Sequence, residues 1–389
     1  MKIGMIGWEY PPFKVGGLSV HCYELTTKLA KGCANIDFYM PRTGLKIESP
    51  DKKIRIMEVP LTNGQINPYF RISAGPDLMD LELNDFFSAV EAYNRLTVDF
   101  FMENSSDVDV IHCHDWITLG AAVELKKRLN KPLVFTVHST EYDRSAYFFP
   151  MQWTIEREKF GMENADRIIA VSKRTKQLIE REYGIDGRKI VVVPNGIDSS
   201  RYAREEERDY ERKGRIIFVG RVTRQKGLTF FVQMAKKVLE KEDCNFTVIG
   251  KGDMLPELIK STIDLKIADK FSFLGFLPDE EVVECMYNSD LYVLPSVSEP
   301  FGISVLEAMC TGMPALISKS TGVGDSLLHC LKSEYWDADD MAAAAVSILR
   351  HRSMRETIGI NGAKEAKRFT WDRCASETRK VYESLIEVR

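Results

Sequence analysis

The feature that most limits the fold is a succession of short apolar runs with stretches of helical length between them, repeated along the whole chain. In the first half the runs are Lys2 to Gly7, Ile36 to Met40, Ile54 to Val59, Val108 to His112, Leu133 to His138, Ile168 to Val171 and Ile190 to Val193. In the second half they are Arg215 to Val219, Phe246 to Ile249, Phe271 to Leu274, Leu291 to Leu294 and Ala315 to Ile317. Several lack the period-two alternation of a half-exposed strand, as expected where helices cover both faces of a sheet. Strand and helix alternating in this way predict parallel βα units rather than a sandwich or a bundle.

At 389 residues the chain exceeds the size at which one hydrophobic core usually stops growing, so two domains are expected. The break falls at Ser199 to Lys213, a charged, core-poor stretch preceded by the turn Asn195, Gly196, Ile197, Asp198. The division expected is therefore 1–198, a linker at 199–213, 214–370, and a C-terminal helix at 371–389 crossing back to the first domain. The halves echo one another: Ile3 to Gly7 leads into Gly16 and Gly17, and Ile216 to Gly220 leads into Lys226 and Gly227. The fold class that follows is α/β, with two Rossmann-like, doubly wound parallel-sheet domains facing across a cleft. In such sheets ligands sit beyond the carboxyl ends of the strands.

Composition narrows the class further. A formal charge of −4 argues against a nucleic-acid binder. The eight cysteines show no CxxC pair and read as free buried thiols. Glu9 interrupts the first apolar run, which is too short for a signal peptide, and no run approaches the roughly 18 apolar residues of a membrane span. A cytoplasmic protein is the expectation.

Three loops carry candidate chemistry. Lys14, Val15, Gly16 and Gly17 follow the first strand, where free backbone N–H groups and a helix N-terminus attract an anion, although a glycine-rich βα turn can also be purely structural. Gly220 and Arg221 to Lys226 and Gly227 bring a guanidinium and an ammonium off one strand end, suited to a pyrophosphate or simply solvated. The third loop, Ser298, Glu299, Pro300, Phe301, Gly302, Ile303, Ser304, Val305, Leu306, Glu307, places one carboxylate before a helix and one early in it. Carboxylates there accept from sugar hydroxyls, interleaved with N–H groups for phosphate.

His138 ends a strand, a position that suits either a cleft residue or a structural hydrogen bond. His112 and His114 share a strand face with Asp115 beside them, which invites a metal. A structural zinc wants four ligands and no partner cluster is visible in the sequence, so a polar strand end with Trp116 as a packing wall is the reading. Asp107 and Asp109 precede their strand, at the wrong edge for a ligand, and Asp337 and Asp339 precede a helix they can cap. No required metal and no cofactor are expected.

Taken together, the Lys14 to Gly17 loop, the Gly220 to Gly227 loop and the Glu299 to Glu307 pair resemble those of the retaining GT-B glycosyltransferases of the group 1 type, on the glycogen and starch synthase side. His114, Asp115 and Trp116 resemble the histidine-aspartate-tryptophan element of those synthases, and the likeness covers nearly the whole chain. It implies that Arg221 and Lys226 clamp a pyrophosphate, Glu299 contacts donor-sugar hydroxyls and Glu307 holds the ribose. Phe301, Gly302, Ile303 and Ser304 would line the sugar and phosphates. His138 would lie near the sugar's primary hydroxyl, with Lys14, Gly16 and Gly17 closing on the phosphates and His114, Asp115 and Trp116 on the acceptor side.

The expected activity is metal-independent transfer of a hexose, glucose foremost, from a UDP- or ADP-sugar to a glycan acceptor such as an α-glucan. The segment Asn63 to Phe101, where acceptor contacts would fall, matches no motif, which leaves a lipid, protein or small-molecule acceptor open. A nucleotide-sugar epimerase or a non-catalytic nucleotide-sugar sensor would use the same phosphate sites. A dinucleotide oxidoreductase is disfavoured by the missing GxGxxG fingerprint.

Overall fold

A computed structural model describes residues 1–13, 16–61, 76–204, 208–211 and 214–387. The chain divides into two compact units, one of Met1–Glu141, Pro150–Gly196 and Trp371–Arg389, the other of Tyr142–Phe149 and Ile197–Thr370. Among the described residues no helix is long and apolar enough to cross a membrane.

The first unit holds the strands β1 (Lys2–Ile6), β2 (Asn35–Pro41), β3 (Ile54–Val59), β4 (Val110–His114), β5 (Leu133–Val137), β6 (Arg167–Ala170) and β7 (Ile190–Val192). They form a seven-stranded sheet in the order β3-β2-β1-β4-β5-β6-β7, parallel throughout. The second unit holds β8 (Arg215–Val219), β9 (Asn245–Ile249), β10 (Phe271–Gly275), β11 (Leu291–Leu294), β12 (Ala315–Ser318) and β13 (Leu331–Ser333). Its parallel sheet runs β10-β9-β8-β11-β12-β13. In each sheet the first strand in sequence sits inside, so the connections run outward in both directions and the order reverses beside β1 and β8.

Residue pattern explains both layers. β4, β5, β11 and β12 are buried at every position, which is why their runs show no alternation. The helix Leu228–Leu239 buries Leu228, Phe231, Val232, Ala235 and Val238, spaced to form one stripe against the sheet. Burying each larger side chain of that stripe contributes about 1.5–3 kcal/mol.

The runs read from the sequence all fall on strands, with two differences. β4 begins two residues later than Val108 and extends to His114, because its histidines are as buried as the apolar residues around them. β13 was not anticipated, since a three-residue edge strand with Lys332 at its centre has no apolar signal. The described residues of the charged stretch 199–213 are anchored to the second unit: the Arg208 guanidinium donates to the carbonyls of Met286 and Thr311, and Tyr210 Oη to Gly312 O at 2.9 Å. The C-terminal helix, Trp371–Ile386, belongs to the first unit and packs on the helix Gly17–Lys31.

Candidate functional site

In the second unit β8 and β11 are neighbours, with Leu291 opposite Ile216, so the loops leaving their carboxyl ends emerge side by side. The first loop runs from Gly220 through a short 3-10 turn at Arg224–Lys226. The second runs from Pro295 to Gly302 and enters the helix Ile303–Cys310. They are laced together by the Gln225 carbonyl, which accepts from Val297 N at 2.9 Å. Gly227, at φ +67°, is where the first loop meets the second: a Cβ there would overlap the carbonyl of Pro295.

This lacing brings Lys226 and Glu299 into an ion pair, both side chains nearly buried. The backbone of Glu299 is fixed from the other side. Its N–H donates to Ser320 O at 3.1 Å, and its carbonyl accepts from Gly322 N at 2.8 Å. Phe301 O accepts from Val323 N at 2.8 Å, and Gly302, at φ +101°, turns the chain into the helix. Ser304 Oγ sits 2.8 Å from Tyr292 Oη, which also reaches Val219 O at the end of β8.

Glu307, half-buried on that helix, meets Tyr202. Burial and then the Glu307 carboxylate drive the Tyr202 phenol well above its ordinary pKa, so it is a neutral hydrogen-bond donor. Four sequence-read residues, Lys226, Glu299, Gly302 and Ser304, are thus held by one framework of β8, β11 and β12. Glu307 follows on the helix they open, and Arg221 stands on the first loop with its neighbour Val222 N bonded to Lys251 O at 2.9 Å.

That last bond marks residues the sequence reading missed. Gly250, Lys251 and Gly252 follow β9 and underlie the Gly220 to Val222 backbone so closely that a Cβ on Gly250 would overlap Gly220 O, and one on Gly252 would overlap Val222 O. Asp253 comes next; burial raises its carboxyl pKa, while Arg224 and Arg221 pull the other way. Their sequence signal is a Gly-x-Gly after a strand, placed after the second strand of its half rather than the first. Phe148, under the Arg224 guanidinium at 4.1 Å, was missed as well.

In the first unit β4 and β5 lie side by side, with His114 opposite Thr136, and β1 lies on the other flank of β4. His138 follows β5, and its Nε2 is 3.0 Å from His114 Nδ1. Asp115, at φ +56°, accepts from the backbone N–H of His138 at 2.8 Å and of Ser139 at 3.3 Å, fixing the exit of β5. His21, on the helix after β1, packs edge-on against His138 with ring centroids 4.4 Å apart, and its Nδ1 is 2.8 Å from Asn195 Oδ1. Burial pushes His21 down to about 4, and His114 and His138 well below the ordinary histidine value, so all three are neutral at physiological pH.

His112 stands apart from this group in its bonding. Its Nδ1 meets Tyr382 Oη at 2.6 Å and its Nε2 meets Thr136 Oγ1 at 2.7 Å, so both ring nitrogens are committed to the core. Trp116 is buried against Trp153 and Phe86. Gly16 N–H reaches Glu9 Oε2 at 3.2 Å and Gly17 opens its helix; Lys14 and Val15 lie outside the described residues. Asp109 accepts from Lys2 N at 2.7 Å, Asp107 pairs with the Lys2 ammonium, and Asp337 accepts from Asp340 N at 2.9 Å.

Comparison with known proteins gives the family and the fold of the chain. Residues 200–365 match the family Glycosyl transferases group 1, and residues 15–201 match Glycosyltransferase Family 4. The chain is 30% identical to the uncharacterized glycosyltransferase MJ1607 of Methanocaldococcus jannaschii, over 100% of this chain and 99% of that protein. It is 26% identical to a glycogen synthase of Mycobacterium tuberculosis, over 98% of this chain and 94% of the other. Among solved structures, sucrose-phosphate synthase from Thermosynechococcus elongatus superposes with a TM-score of 0.81 at 19% identity, covering 100% of both chains. The chain belongs to the glycosyltransferases, with a group 1 domain at residues 200–365, and has the GT-B fold.

Proposed function

We propose that this glycosyltransferase moves a hexose, glucose foremost, from a UDP- or ADP-sugar to a glycan acceptor of the α-glucan type, with retention of anomeric configuration. The observation that carries the donor half is the Lys226–Glu299 pair, in which Lys226 comes from the loop that also bears Arg221. Cleaving the bond between sugar and diphosphate builds negative charge on the departing phosphates, and a preorganised cation stabilises that charge where it forms. Lys226 and Arg221 suit that task, with the N-terminus of the helix Ile303–Cys310 adding positive potential nearby.

Glu299 is suited to accept from vicinal sugar hydroxyls with the oxygen Lys226 leaves available, and Glu307 to accept from ribose hydroxyls, oriented by Tyr202. His138 keeps the donor-sugar role, and the His114 to Trp116 element the acceptor-side role, that the resemblance implies. The α-glucan acceptor is supported by the full-length likeness to a glycogen synthase. A thermal-shift panel of UDP-, ADP- and GDP-glucose identifies the donor. Incubation of that donor with maltooligosaccharides, read by mass and by the anomeric proton signal of the product, tests the rest. Elongation through a new α-linkage is expected; hydrolysis or isomerisation of the donor without any acceptor product refutes transfer.

A further inference from the structure

The geometry points to a binding site for one zinc-class divalent cation on His21, His114 and His138, with a water as fourth ligand. One ring nitrogen of each lies within 4.8 Å of the others. His114 Nδ1 and His138 Nε2 are already 3.0 Å apart, close to the roughly 3.3 Å that separates two ligands on a tetrahedral zinc with bonds of about 2.0–2.1 Å. Two imidazoles meeting nitrogen to nitrogen can share one proton at most, and a cation replaces that single bond with two.

The second observation is independent of the spacing. His21 Nε2 is buried and has no hydrogen-bond partner among the described residues, in a residue only 3% exposed. Such groups cost stability unless something occupies the space they face. For His21 the tautomer is set: Nδ1–H donates to Asn195 Oδ1, so Nε2 presents a lone pair inward. A metal-ligating histidine is commonly held in this way, its other N–H given to a carbonyl behind it. His138 is half-buried and provides the way in. The contrast with His112, which is equally buried and has both nitrogens satisfied, shows that burial alone did not leave His21 Nε2 unpaired.

Sequence reasoning missed the cluster because it joined His112 to His114 along one strand. The ligands come instead from the helix after β1, the end of β4 and the loop after β5, which the sheet order makes neighbours. A bound cation would occupy the lone pair of His138, so the site suits an inhibitory ion better than a cofactor; that consequence alone rests on the proposed transferase role.

The test uses the metal-stripped full chain. Zn2+ is titrated in competition with a chromophoric chelator, and the zinc-loaded protein is studied by X-ray absorption. We expect one zinc per chain and a first shell of nitrogen and oxygen with imidazole scattering. His138→Ala should weaken binding at least tenfold, and Asn195→Ala, behind the His21 ligand, by about 10- to 100-fold. No saturable binding, or a shell containing sulfur from one of the free cysteines, overturns the site, as does zinc affinity unchanged in both variants. The absorption measurement needs only the unaltered chain and decides the matter even where a variant fails to fold. Binding with no transferase activity would leave the site standing and remove only the inhibitory consequence.

Discussion

Lys226 and Glu299, 73 residues apart in sequence, form one ion pair at the joint carboxyl ends of β8 and β11. Because the pair is nearly buried, removing one partner strands the other charge, and that penalty is about 3–5 kcal/mol. Lys226→Ala should therefore lower the melting temperature as well as the transfer rate. The double variant Lys226→Ala/Glu299→Ala should recover most of the stability and none of the activity. Loss of a charge-stabilising group costs about 100- to 1,000-fold in kcat. Calorimetry beside donor-turnover kinetics separates the two effects; a double variant that transfers normally removes Lys226 from the leaving group.

Glu307 and Tyr202 make the second test. In Glu307→Gln the side chain keeps its shape and loses its charge, so a ribose held by paired hydroxyl bonds should bind about 10-fold more weakly or worse, since hydrogen bonds to charged groups contribute about 1.5–3 kcal/mol. Tyr202→Phe should give a smaller loss, because it removes only the donor that orients the carboxylate. Titration calorimetry with the free nucleoside diphosphate reads both; equal affinity in all three proteins would take Glu307 off the ribose.

The strands were legible because parallel sheets bury both faces and so leave continuous apolar runs, as in Leu291 to Leu294. β13 escaped because an edge strand of three residues has one covered neighbour and tolerates Lys332. Within the site, Lys226 and Glu299 stood out as charges flanked by turn residues, yet nothing in the sequence says that they touch; that follows from β8 and β11 being adjacent. Gly250 and Gly252 show in the sequence as a Gly-x-Gly after a strand, but what they serve does not: their need for glycine comes from the Gly220 to Val222 backbone, about thirty residues earlier, lying against them. The meeting of His21 with His114 and His138 depends in the same way on sheet order.

Asp37 offers a pH test away from the site. Burial pushes its carboxyl pKa up, but hydrogen bonds from Arg55 at 2.5 and 2.7 Å and from Ser105 at 2.7 Å outweigh it, and the net shift is downward. A depressed folded value means that the stabilisation is fully present above the unfolded carboxylate pKa, about 3.9, and is lost as pH falls through the folded value. Asp37→Asn should cost about 2 kcal/mol at neutral pH, at the lower end for a buried charge because Arg55 is half-exposed. The melting curves of the two proteins should converge in acid. A constant difference from neutral pH down to pH 2 would deny that the carboxylate is the source.

Gly250→Ala tests whether the missed glycine pair supports the phosphate-side loop. At φ +137° the backbone lies where side chains are rarely found, and the new Cβ would overlap Gly220 O, so the loop bearing Arg221 must move. Strain of that kind costs about 1–3 kcal/mol, and the displaced loop should weaken donor binding at least tenfold. Gly184→Ala is the control: it too has positive φ, at +68°, but a Cβ there meets nothing within 4 Å. It should lower stability by about 1 kcal/mol and leave donor affinity alone. If both substitutions leave donor affinity equal to that of the unaltered chain, the Gly220 to Val222 backbone is not what holds the donor, and the clamp assigned to Arg221 falls with it.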